Sequence, residues 1–365
     1  MFRTFFCCWR VDPAKRLRED IRLFGMEACM TKIIIDALGA DAGPKMVASA
    51  IKSALSKRSF SCVVVGPSSV LSPAFSDMKQ VEIVDTNTFI SNDESPVFAI
   101  RRKKQSSLVL AFSRLNADGD VLLSAGSTGA LLAGGYFLTK RIEGMERMCL
   151  VPTIPHVNGG ILLADAGATM DTTPAMLLQF AEISAAYAKR ALGKSEVKVG
   201  LLNVGQEAEK GDKRAIETHR MLEESELTFI GNVEARDILF ADCDVLVADG
   251  FAGNIALKAM EGTAKFALQT LKNVLYANTK TKLGALLIKK DLKQAFGALD
   301  YRAHGGAPLL GARKPIYKAH GNSNASTFAL AIEEALDFAE SGVIEDVAQR
   351  FGGNHQAEEK SHVEG

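Results

Sequence analysis

The 365-residue chain has no excess of either charge, with 43 Lys and Arg against 43 Asp and Glu. A net charge of zero argues against a nucleic-acid binder with a broad basic face, so an electrostatic partner must be met by a local patch. No apolar run approaches the roughly 20 residues that cross a bilayer. The six cysteines, Cys7, Cys8, Cys29, Cys62, Cys149 and Cys243, include no CxxC pair. That spacing offers neither a zinc site nor a disulfide framework, and reduced thiols in the cytosol are expected. No GxGxxG follows the first strand candidate, and no GxxxxGKS or GxxxxGKT loop occurs, so no dinucleotide or nucleoside-triphosphate site is indicated. Neither a metal nor a cofactor is expected.

What is present is enough apolar residue, 47%, for a real core. Residues 1–29 do not read as the start of a domain. Arg3 and Arg10 interrupt Phe2, Phe5, Phe6 and Trp9 and spoil a signal-peptide core. A disordered extension or an upstream start is expected there, with a lipid anchor at Cys7 or Cys8 as the alternative. From Met30 onward short apolar runs alternate with helical stretches. Strands are predicted over 32–36, 61–66, 81–85, 120–124, 150–154, 160–164, 197–203, 227–231 and 244–248. Helices are predicted over 44–56, 174–191 and 325–341, among others. Unalternating strands fit a parallel sheet covered on both faces. The expected fold is therefore α/β, a three-layer αβα arrangement around a largely parallel Rossmann-like sheet. One domain over 30–340 is expected, then a C-terminal helix and polar tail over 341–365.

The most informative stretch is Asp249-Gly250-Phe251-Ala252-Gly253-Asn254-Ile255-Ala256-Leu257-Lys258. A strand precedes it and helical spacing of Leu257, Met260, Ala264, Ala267, Leu268 and Leu271 follows. Gly250 and Gly253 then sit at a strand-to-helix turn where a ligand can approach the backbone. Free N–H groups there favour an anion, and Asn254 can cap the helix or bond the ligand. The plain alternative is a βα turn with no ligand. Similar turns recur after other strands, where an open α/β sheet binds ligands. They carry Asp36 and Gly39, then Gly126, Ser127, Thr128 and Gly129, then Asp165, Gly167 and Thr169, then Gly205 with Lys210. Together they suit a phosphate-sized anion.

These segments resemble the bacterial phosphate acyltransferase family, PlsX. The matching pieces are residues 35–41, 124–131, 165–174, 201–211, 229–234, 249–258, 305–311 and His320-Gly321, in family order from Met30 to about residue 340. The resemblance implies transfer of a long-chain acyl group from acyl carrier protein to inorganic phosphate, giving acyl phosphate for phospholipid synthesis. It implies a homodimer in the cytoplasm, peripherally associated with the inner face of the membrane. A downstream glycerol-phosphate acyltransferase is a further candidate partner. Lys210 and Asn254 are assigned as catalytic. Asp36, Gly39, Gly126, Ser127, Thr128, Gly129, Asp165, Gly167, Thr169, Gly205, Gly250, Gly253 and His320 are assigned to substrate binding. Three positions depart: Ala40 stands where the family has Gly, and Ser127 and Thr169 stand where it has Asn. The last two lose the amide's paired donor and acceptor.

Two surface features accompany this site. A helical hairpin over 257–300 places Leu283, Leu286 and Leu287 near its turn, with Lys280, Lys282, Lys289, Lys290 and Lys293 around them. Ile288, Leu292, Ala295, Phe296 and Leu299 form a stripe on its second helix. Such a tip suits the surface of an anionic membrane, or a dimer interface. The basic run Arg101, Arg102, Lys103, Lys104 suits docking of the acidic carrier protein, or is a solvated face. The competing readings are a phosphate acetyltransferase-like enzyme using short acyl-CoA, a dehydrogenase of related architecture, and a membrane-attached scaffold without activity.

Overall fold

The computed structural model describes residues 30–297 and 304–352. The expectations for residues 1–29, for Leu299 and for the tail beyond 352 lie outside the described residues. The same holds for the side chains of Lys293, Ala295 and Phe296 on the hairpin.

The first sheet holds β1 (Lys32–Asp36), β2 (Ser61–Gly66), β3 (Val81–Asp85), β4 (Val121–Ser124), β5 (Cys149–Leu150), β11 (Gly306–Leu310) and β12 (Ile316–Ala319), in the order β3-β2-β1-β4-β12-β11-β5. Neighbours from β3 to β12 run parallel. β11 lies antiparallel to β12 and to β5. The second sheet holds β6 (Thr153–His156), β7 (Gly159–Ala164), β8 (Lys198–Asn203), β9 (Thr228–Glu234) and β10 (Val245–Val247), in the order β6-β7-β10-β8-β9. All its pairs are parallel except β6 with β7.

The helices are α1 (Gly43–Leu55), α2 (Ser68–Phe75), α3 (Pro96–Arg102), α4 (Ser107–Asp118), α5 (Thr128–Gly134), α6 (Pro174–Arg190), α7 (Lys213–Glu223), α8 (Gly250–Leu275), α9 (Thr279–Gly297) and α10 (Ala325–Glu340). Side chains alternate across a strand, and β1 shows the consequence. Ile33 and Ile35 pack in one core with Val47 and Ile51 of α1 and Phe328 and Ile332 of α10. Ile34 points the other way, into a core with Phe112 and Leu115 of α4. Each of these fully buried isoleucines contributes roughly 1.5–3 kcal/mol. The first core continues beneath the second sheet through Leu162, Val199 and Val245, covered by Leu177 and Phe180 of α6. The far face of that sheet packs Leu163 and Leu246 against Ala256, Leu257 and Met260 of α8. The result is the expected α/β layering, in two sheets with a shared core.

Two expectations about strands are corrected. The run 150–154 is two strands, β5 and β6, one in each sheet. The chain crosses between sheets at Val151-Pro152, and proline has no N–H for a ladder. Strands β11 and β12 were not expected, although β12 is central in the first sheet.

Candidate active site

The turns that follow the strands converge. A methyl on Gly39 would collide with the backbone N of Gly126, so the turns after β1 and β4 touch main chain to main chain. Gly321 joins them, its carbonyl accepting from the N–H of Asp41 at 3.0 Å. Asp36 lies beneath this junction, buried. Its carboxylate accepts from Ser124 Oγ at 2.8 Å and from the Leu38 N–H at 3.2 Å. Burial raises its pKa above the usual carboxylate range, against hydrogen bonds from Ser107 and Ser124. Asp36 thus ties the first turn to the fourth strand. Ser127 caps α5 by accepting from the Ala130 N–H at 3.4 Å. Thr128 and Gly129 open that helix.

In the second sheet, Asp165 follows β7 and is fully buried. Its two oxygens accept from the N–H groups of Leu150, Gly167, Ala168 and Thr169 at 2.6–3.2 Å. Burial pushes its pKa up to about 6, with those four N–H groups pulling the other way. The carboxylate therefore shapes the 165–169 turn from within. Thr169 donates its hydroxyl to the Met148 carbonyl at 2.9 Å. The first turn of α8 rests on this structure. A Cβ on Gly250 would lie 2.6 Å from Asp165 Oδ2, and one on Gly253 would collide with the Asp165 carbonyl oxygen. Glycine is required at both positions because only a bare backbone fits there.

Asp249 caps α8, accepting from the N–H groups of Phe251 and Ala252 at 3.0 and 2.9 Å. The cap is therefore Asp249, and Asn254 is released from that role. Asn254 sits one turn in, against Gly167, whose Cβ would lie 3.3 Å from the carboxamide. Gly167 holds φ 124°, which a side chain rarely adopts.

Lys210 is exposed, in the loop between β8 and α7. Its stem packs on Gly205, where a Cβ would lie 2.9 Å from Lys210 Cγ, and its carbonyl accepts from the Asn203 carboxamide at 3.1 Å. Arg214 links this loop to α8, and the sequence reading did not single it out. Its guanidinium meets Asp249 at 2.9 Å and Thr172 Oγ1 at 3.3 Å.

The sequence reading also gave no role to Lys318 or Lys258. Lys318 lies on β12 opposite Ser124. It donates to the carbonyls of Ala125 and Ala319 at 3.1 and 2.6 Å. Burial lowers its pKa to about 8, while Asp41 and Asp36 oppose the shift and Lys258 adds to it. His320, two residues on, is lowered by burial and then by Lys318, with Lys258 also contributing. Lys258 is exposed on α8, one turn beyond Asn254, and pairs with Glu261 at 2.9 Å. Cationic groups from the first sheet and from a helix of the second thus share one electrostatic environment. Hydrogen-bond donors and positive charge so arranged can hold an anion. Among the described residues, no cluster of His, Cys, Asp or Glu fits a metal ion.

The sequence profile described as "Fatty acid synthesis protein" matches residues 31–346. A curated phosphate acyltransferase of Clostridioides difficile is 41% identical over 337 residues, covering 91% of this chain and 99% of that protein. One from Oceanobacillus iheyensis is 42% identical over 311 residues, covering 85% and 94%. The chain belongs to the phosphate acyltransferase family. Among solved structures it is similar in fold to the EutD phosphotransacetylase of Staphylococcus aureus, with TM-score 0.54, 15% identity and coverage of 85% and 94%. A phosphotransacetylase of Streptococcus pyogenes gives TM-score 0.54 at 16% identity, covering 90% and 99%.

In this phosphate acyltransferase the basic run lies at the end of α3. Arg101 stacks on Phe137 at 4.9 Å and Arg102 on Phe98 at 5.5 Å. Lys103 is held by Glu94 at 2.7 Å. The start of the same helix abuts the candidate site, since a Cβ on Gly129 would lie 2.7 Å from Pro96. The helical hairpin is present as α8 and α9. Leu283, Leu286 and Leu287 are 64%, 71% and 79% exposed, values that leave them available for a partner surface. Lys280, Lys282, Lys289 and Lys290 around them are exposed too. Among the described residues, no helix is long and apolar enough to cross a membrane.

Proposed function

We propose that this phosphate acyltransferase moves a long-chain fatty acyl group from acyl carrier protein to inorganic phosphate, and that the acyl phosphate formed serves phospholipid synthesis. The observation that carries the reading is the seating of the Asp165 turn, through Gly167, against the Asn254 carboxamide of α8 in a chain of this family. A phosphate oxygen attacks the thioester carbonyl carbon. The tetrahedral intermediate collapses, the C–S bond breaks, and the thiolate leaves to be protonated by solvent. That thiol has an ordinary pKa of roughly 8.5, so it departs readily. Phosphate near neutral pH is partly a dianion and needs no activating base.

The protein then has to hold the acceptor, stabilise the oxyanion and orient the acyl chain. Asn254 donates to the oxyanion, a contribution of about 3–4 kcal/mol for one such group. Lys210 supplies positive charge at the rim. Holding both reactants in register contributes up to about 7–11 kcal/mol. Gly39, Gly126, Gly129, Gly167, Gly205, Gly250 and Gly253 let the turns pack closely on one another and on α8, and the ligands meet the N–H groups and the Thr128 hydroxyl along their edges. Asp36 and Asp165 fix the turns from below. Arg101, Arg102 and Lys103 receive the acidic carrier protein. The leucine tip of the hairpin rests on an anionic membrane at its cytoplasmic side, and the homodimer forms through apolar surface of the same hairpin. Handover to a glycerol-phosphate acyltransferase completes the proposed setting.

The test is direct. Pure protein is incubated with phosphate and either long-chain acyl carrier protein or short acyl-CoA, and acyl phosphate is measured. Preference for the long-chain carrier thioester is expected. Product from short acyl-CoA alone would move the assignment to the acetyltransferase-like reading, and no product from any donor would leave the scaffold reading.

A further inference from the structure

We propose that Lys318 and Lys258, together with His320, form the subsite that grips the oxygens of the phosphate acceptor. The inference rests on the acyl-transfer reading above and deepens it by assigning the phosphate to one part of the site. Three observations carry it.

Lys318 stands on the central strand β12, directly across from Ser124, at the point where the turns of β1 and β4 meet. Two of its ammonium hydrogens go to the carbonyls of Ala125 and Ala319, and among the described residues no further acceptor is bonded to it. An ammonium carries three donors, so one is left for a ligand, and the two carbonyl bonds fix where it points.

Lys258 stands on α8, which packs on the other sheet, and its charge is felt at Lys318. It lies four residues after Asn254, hence on the same helix face, and Glu261 steadies its ammonium at 2.9 Å. His320 feels the charge of both lysines. Burial is the main cause of the depressed Lys318 pKa; Asp41 and Asp36 oppose it, and the Lys258 charge adds a smaller share. An anion bound between the two ammonium groups would offset both.

A dianion with tetrahedral oxygens fits this arrangement. One oxygen takes the remaining Lys318 donor and another meets Lys258. The attacking oxygen then lies near Asn254 on the neighbouring turn of α8. Phosphate is thereby assigned to Lys318 and Lys258, and Lys210 and Arg214 are left for the donor's arm.

The experiment measures initial rates against inorganic phosphate and against acyl donor for the wild type, Lys318→Met, Lys318→Arg and Lys258→Met. The rise in Tm with added inorganic phosphate is measured for each. Both methionine variants are expected to raise KM for phosphate at least tenfold and lose most of the phosphate-induced rise, with donor KM changed less than twofold. Lys318→Arg is expected to recover part of the loss. A folded variant with unchanged phosphate KM, or with only donor KM raised, overturns the assignment. Lys258 is exposed, so its variant keeps the test decisive if Lys318→Met does not fold. Wild type that forms no acyl phosphate overturns the underlying reading, whereas active wild type with unaffected variants overturns this inference alone.

Discussion

Replacing Lys318 by methionine should change how stability depends on pH, in a window set by the structure. The ammonium is held where burial lowers its pKa from 10.5 to about 8. Asp36, Asp41 and Lys258 surround it, and His320 responds to its charge. In the unfolded chain the amine has its ordinary pKa. Between about pH 8 and 10.5 the unfolded state therefore binds a proton that the folded state has released, and wild-type stability rises with pH there. The lysine's contribution is fully present above its unfolded pKa and is lost as pH falls through the folded one. The drop from 10.5 to about 8 corresponds to about 3 kcal/mol. Against this, methionine forfeits two hydrogen bonds to carbonyls, each of about 1 kcal/mol. Urea unfolding of both proteins at pH 7, 8, 9 and 10 in phosphate-free buffer gives the stability difference directly. The wild type should gain most of those 3 kcal/mol on the variant across the window. A difference that stays flat with pH would show that the lysine is not held as described.

Asn254→Ala and Lys210→Ala should each lower turnover by tenfold or more in protein that remains folded. Near-normal rates in both would remove their assigned roles. Gly253→Ala should destabilise by about 3 kcal/mol, since the new methyl meets the Asp165 carbonyl and the helix must shift; an unchanged midpoint in urea would contradict the tight seating of α8. Leu286→Glu with Leu287→Glu should abolish flotation with anionic liposomes, and unchanged flotation would count against the leucine tip. Arg101→Glu with Arg102→Glu should raise KM for acyl carrier protein several-fold and leave KM for short acyl-CoA alone; an unaffected carrier KM would count against docking there.

Much of the fold was legible because its parallel strands are continuous apolar runs. Ile33-Ile34-Ile35 and Val63-Val64-Val65 admit few other readings once both faces are covered. What escaped was β12. Its sequence Ile316-Tyr317-Lys318-Ala319 puts a charged residue in a central strand, which sequence patterning counts against burial. The same lysine that hid the strand is the one the structure places at the junction of turns. Residues 305–311 stood out only as a segment matching the family, and a methyl on Gly305 or Gly306 would strike α10 or β12. Close packing, not a ligand, accounts for those two. Asp165 was visible as a strand-end acid, but nothing local shows that four N–H groups would close around it, one of them from β5. Arg214 was hidden for a similar reason, since its partners Asp249 and Thr172 lie 35 and 42 residues away.

Helix α8 begins at Gly250, seated on the Asp165 turn, and runs 26 residues before the hairpin turns back. At about 1.5 Å per residue it is a rod of about 39 Å. Its root carries Asn254 and Lys258, and its far end leads to the leucine tip. Two glycines make the root a close-fitting socket. One continuous helix thus joins that socket, with Asn254 and Lys258 just above it, to the turn that precedes the leucine tip.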